Sequence, residues 1–150
     1  MRAHALKIFT IGFTRKSARE FFGKLRRPGL LRLVDVRLNN LSQLAGFSKR
    51  DDLQFFCESV LGINYIPLPQ LAPTQELLDA YKKKQGDWRE YELQFLSLMA
   101  ERKVEERVEQ DAIDGCCLLC SEPAPELCHR RLVAEYFQQK WPNVEIEHIL

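Results

Sequence analysis

Short apolar runs alternate with longer amphipathic ones along this chain. Apolar or alternating segments at 6–11, 31–36, 64–68, 116–120 and 144–149 read as strands. Segments 17–26, 49–61, 75–84, 88–110 and 126–140 read as helices. Their apolar residues recur at three-to-four spacing, as in Phe21, Phe22 and Leu25, or Leu132, Val133, Tyr136 and Phe137. Trp88, Tyr91, Phe95 and Met99 share one helix face and are expected to build core. The run ERKVEERVEQ reads as a solvated helix end, with Val104 and Val108 turned inward.

Strands alternating with helices predict an α/β, Rossmann-like, three-layer domain with a mostly parallel five-stranded sheet. One domain over 1–150 is expected, since 150 residues suffice for a single core. The second and fourth strands are the most continuously apolar, as central strands are. The third contains Pro67, which cannot donate to a ladder and prefers an edge. The fifth alternates polar and apolar residues and suits the other edge. Order 3-2-1-4-5 is therefore preferred, with 2-1-3-4-5 second.

Composition adds limits. The apolar and charged fractions, 45% and 29%, are those of a globular protein. No apolar run approaches the roughly 20 residues of a membrane helix. The segment MRAHALKIFTIG is too short in its apolar part for a secretory signal, so a cytoplasmic protein without membrane contact is expected. The odd count of five cysteines, three of them in one apolar strand, favours reduced thiols over a disulfide framework. Net charge is +1, but residues 1–60 carry 12 Lys/Arg against 5 Asp/Glu and the remainder 10 against 16. The basic half could meet nucleic acid or simply neutralise the acidic half in space.

In open parallel sheets ligands bind beyond the carboxyl ends of the strands, at the switch point. Three segments bring polar residues to that rim. Gly12 and Thr14 follow the first strand, Asp35 and Arg37 close the second, and Cys120, Ser121 and Glu122 end the fourth. Gly12 permits a sharp turn or a close backbone approach. Arg37 can hold a phosphate or carboxylate by two-point contact, or pair with Asp35. Pro123 and Pro125 stop the strand, and Cys128, His129 and Arg130 open the next helix, whose free amides favour an anion.

That field also lowers a thiol pKa, which makes Cys128 the candidate nucleophile. His129 and Glu122 are acid–base candidates, and Arg130 a clamp. Three readings follow. The first is an enzyme, a thiol- or Glu/His-dependent hydrolase or transferase acting on a phosphorylated or nucleotide-like molecule. The second is a non-catalytic ligand-binding or nucleic-acid-associated module. The third is a metal-binding protein using Cys120, Cys128 and His129, although C-x7-C-H lacks a second close pair and is unlike a structural zinc site. Cys57, Cys116 and Cys117 read as core, and His4 and His148 as incidental. Residues 39–47 read as an exposed loop that could cover the rim.

The chain resembles domain-of-unknown-function family 488 of bacteria and archaea. The resemblance is carried by TIG at 10–12, VDVR at 34–37, GFSK at 46–49, INYIPLPQL, CSE at 120–122, CHR at 128–130 and HI at 148–149, in that order. It implies a compact α/β domain with the same rim and supplies no activity. The family's His and Ser after TIG are here Phe13 and Thr14. Its proline after DVR is missing, and its paired glycine after the tyrosine strand is Ala72-Pro73. The resemblance thus implies a divergent member, one in which chemistry needing that His does not operate unchanged.

Overall fold

A computed structural model of the chain describes residues 5–38, 49–84, 86–120 and 128–150. Five parallel strands form one sheet: β1 (Leu6–Gly12), β2 (Arg32–Asp35), β3 (Asn64–Pro67), β4 (Cys116–Cys120) and β5 (Val144–His148). The strand segments expected from the sequence are thus all present, with ends displaced by a residue or two at most.

The order is β3-β2-β4-β1-β5, so the expected 3-2-1-4-5 needs one correction. Pro67 and the alternating last strand do lie at the edges, but β4 sits between β2 and β1. Every residue of CCLLC is buried, which requires a neighbour on both sides and helices on both faces. β1 has partly polar neighbours to offer an edge strand instead. Lys7 Nζ lies 3.4 Å from a Glu147 carboxylate oxygen, and Thr10 Oγ1 lies 2.6 Å from His148 Nδ1. Burial alone could not rank two buried strands against each other; these β1–β5 contacts do.

Two apolar cores follow from the period-two alternation of the strands. On one face, Phe9, Ile11, Leu33, Tyr65, Cys117 and Leu119 pack against α1 (Ala18–Lys24) and α2 (Arg50–Phe55), which runs on into a π-helical turn (Phe56–Leu61). On the other, Ile8, Val34, Val36, Cys116 and Leu118 pack with α4 (Trp88–Arg102) and α7 (His129–Lys140). Between β3 and β4 the chain also forms α3 (Gln75–Lys82), α5 (Val104–Arg107) and α6 (Gln110–Ile113).

The expected helix 88–110 is broken at Lys103, whose φ of 53° is left-handed. This break turns Val104 and Val108 into the core, where both are buried, and they anchor α5. The other ends are set locally. Ser17, Thr74 and Asp87 accept backbone N–H groups of the first turns of α1, α3 and α4.

Charge from the two halves of the chain meets in places. Arg27 pairs with Glu147, and so does Lys7. Among the described residues no helix is long and apolar enough to cross a membrane.

Candidate functional site

β1 and β4 lie side by side with Gly12 in register with Cys120. From β1 the chain turns to the α1 face, and from β4 it goes on to α7 on the opposite face. Neighbouring strands whose connections diverge in this way define the switch-point crevice of an open α/β sheet. Of the rim residues expected from the sequence, Gly12, Arg37, Cys120, Cys128 and His129 lie at this end of the sheet.

The turn after β1 brings the first difference. Phe13 O accepts from Lys16 N, and the left-handed residue of that turn is Arg15, with φ 63°. Gly12 keeps to the strand, so the conformational freedom expected of it is used one turn later, by an arginine. Thr14 is exposed and Lys16 half-buried.

At the end of β2, Asp35 is 1% exposed and gathers four hydrogen bonds. It accepts from Arg37 N at 3.1 Å, Arg37 Nε at 2.9 Å, Arg37 Nη2 at 2.8 Å and Tyr65 Oη at 2.5 Å. The guanidinium and carboxylate thus meet in a two-point pair, side chains almost wholly buried. Burial first, then the Asp35 charge, pushes the Tyr65 hydroxyl far above its ordinary pKa, so it stays a donor. Arg37 also lies over the Phe13 ring, 5.4 Å from its centroid. Its remaining nitrogen, Nη1, is buried and has no hydrogen-bond partner among the described residues.

The start of α7 supplies the other wall. His129 Nε2 lies 2.6 Å from the Val36 carbonyl oxygen. A carbonyl can only accept, so Nε2 carries the proton and Nδ1 the lone pair. Nδ1 faces Cys120 Sγ at 3.7 Å, and Phe95 packs 5.5 Å from the ring centroid. Burial pushes the imidazole down to about 4, so the ring is neutral. Arg130 is completely buried. Burial, and then the Arg130 charge, lowers the Lys16 pKa, which places the two cations close enough to repel.

Cys128 is the residue capping α7, and its sulfur is bonded to that of Cys120. The expectation of reduced thiols is therefore corrected for this pair, while Cys57, Cys116 and Cys117 are free and buried as expected. In the bonded state Cys128 is no nucleophile. The two cysteines are eight positions apart in sequence, one ending β4 and the other capping α7. Cys120, Cys128 and His129 also present ligand atoms within 4.8 Å of one another.

Ser121, Glu122 and the loop 39–47 lie outside the described residues, as does His4. His148 is no isolated side chain but a contact of Thr10. Sequence reasoning missed Phe13, Lys16 and Tyr65 as contributors to the rim. Tyr65 had a signal, a hydroxyl in an apolar strand, in register two residues before the partner of Asp35. Phe13 was visible only as the replacement of a family histidine. Two open grooves lie away from this rim, one of about 450 Å³ between α3 and α4 and one of about 310 Å³ beside Lys7, Arg27 and Glu147.

The family model of the domain of unknown function DUF488 matches residues 17–137. The chain belongs to the DUF488 family. The matched part of this DUF488 domain runs from the cap of α1 into the last turns of α7. It includes Asp35, Arg37, Tyr65, Cys120 and Cys128 to Arg130, while β1 with Phe13 precedes it and β5 follows it. No curated protein and no solved structure is significantly similar to the chain.

Proposed function

We propose that this DUF488 domain binds a small anion, phosphorylated or nucleotide-like, beyond the ends of β1 and β4. The observation that carries this reading is Arg37 Nη1, a buried charged donor without an acceptor among the described residues. Leaving such a group unpaired costs on the order of 1–3 kcal/mol or more, which a ligand oxygen would recover. Asp35 accepts from the other two nitrogens of the guanidinium and so fixes the direction of the third. Arg130 and Lys16 add positive charge, and the first amides of α7 add the field of a helix N-terminus.

Binding is favoured over thiol catalysis because Cys128 is bonded to Cys120. His129, for its part, has one ring nitrogen committed to a backbone carbonyl. A small ligand is favoured over nucleic acid because the donor left over on Arg37 is buried and does not stand on an open face. Lys7 and Arg27 of the basic half are meanwhile engaged by Glu147.

Thermal unfolding in the presence of inorganic phosphate, a sugar phosphate and a nucleoside monophosphate tests the reading. A ligand at 100 times its Kd should add about 2.7 kcal/mol of stability. Lys16→Ala, in an exposed turn, should keep the fold and weaken binding, and Arg37→Lys should weaken it further. The reading fails if none of the three anions shifts the transition, or if both variants bind as the unaltered chain does.

A further inference from the structure

We infer that Cys120, Cys128 and His129 form a site for a thiophilic divalent cation such as Zn²⁺, available only when the two cysteines are reduced. This goes beyond anion binding and does not depend on it. The three ligand atoms lie within 4.8 Å of one another, all on buried residues. Cys120 Sγ is 3.7 Å from His129 Nδ1. Sulfur and nitrogen at about 2.3 and 2.0 Å from one tetrahedral zinc stand roughly 3.5 Å apart, so this edge of the site is already close to its working length.

The histidine is also prepared for the role. A metal-bound imidazole ordinarily donates its other N–H to a carbonyl or carboxylate, which fixes the tautomer and the ring direction. Here Nε2 donates to Val36 O at 2.6 Å, leaving the Nδ1 lone pair towards the sulfurs. Phe95 braces the ring.

Backbone spacing agrees. The Cα atoms of Cys120 and Cys128 are 7.2 Å apart. Once the bond is cleaved, that spacing leaves room for an ion between the sulfurs. The spacing C-x7-C-H argues against a four-ligand structural site. Three described ligands instead match the open type, in which another group completes the coordination.

The chemistry balances with a phosphine as reductant. Two electrons from phosphorus cleave the S–S bond, water supplies an oxygen to the phosphine oxide and two protons to the thiols, and the cation then displaces those protons to solvent.

The test uses the whole chain, reduced with a phosphine, desalted without oxygen and titrated with Co²⁺ alone. A thiolate-to-cobalt charge-transfer band should saturate at one ion per chain and disappear when Zn²⁺ is added. The oxidised chain should give no band. His129→Ala should weaken binding by about tenfold or more. Cys128→Ser should abolish the band. Should Cys128→Ser not fold, Zn²⁺ protection of Cys120 and Cys128 from alkylation in the unaltered chain decides in its place. The inference is overturned by a folded, reduced chain without the band, by a band that Cys128→Ser leaves unchanged, or by the absence of zinc protection.

Discussion

Asp35, almost wholly buried, is held by three donors of one arginine and the hydroxyl of Tyr65. Breaking a buried pair leaves a charge without compensation and costs about 3–5 kcal/mol. Arg37→Ala should lower stability by that amount in urea unfolding. Tyr65→Phe should cost about 1.5–3 kcal/mol, since the lost bond goes to a charged acceptor. Arg50→Ala, whose partner Asp51 is exposed, should change stability by less than about 1 kcal/mol. An Arg37→Ala effect no larger than that of Arg50→Ala would remove Asp35–Arg37 as a structural centre.

The thiols separate in the same way. Burial pushes Cys57 up to about 12 and holds Cys116 and Cys117 well above the ordinary thiol value. A raised thiol pKa means neutral S–H at pH 8, and the thiolate is the reactive form. Iodoacetamide at pH 8 should therefore leave the native chain unlabelled. Mass spectrometry should find three adducts after denaturation without reductant and five after reduction. Five adducts without reductant would show that Cys120 and Cys128 are not joined.

At the scale of elements, helix ends are the adjustable parts. Lys103 closes α4 with φ 53° and ψ 48°, a conformation that costs an L-residue about 1–2 kcal/mol and glycine almost nothing. Lys103→Gly should raise stability by about 1 kcal/mol, and Lys103→Val should lower it, both read from the midpoint of chemical unfolding. Asp87→Ala removes the acceptor for Glu90 N at the start of α4 and should cost about 1 kcal/mol. A stabilising Lys103→Gly would also explain why sequence periodicity ran on to residue 110. No glycine or proline marks the break, and the strain is offset by the burial of Val104 and Val108.

For the whole molecule, one sheet is shared by two cores. Phe21 fills the core under α1, and Phe95 the core under α4 and α7; both are completely buried. Each truncation to Ala should cost about 3–5 kcal/mol. Because β4 contributes residues to both cores, both variants should move one common unfolding transition, seen alike by tryptophan fluorescence and by circular dichroism. Separate transitions by the two probes would mean that the faces unfold independently.

Local chemistry was enough to place the strands and the edge positions of the Pro67 strand and the alternating last strand. Each of these depends on period, propensity or a side chain's own bonding capacity, which a sequence displays. The rank of β4 between β2 and β1, the Cys120–Cys128 bond, the His129–Val36 contact and the orphaned Arg37 nitrogen depend on which distant segments become neighbours. Those pairings are chosen by the joint packing of all five strands and both helix layers, so they belong to the tertiary structure alone.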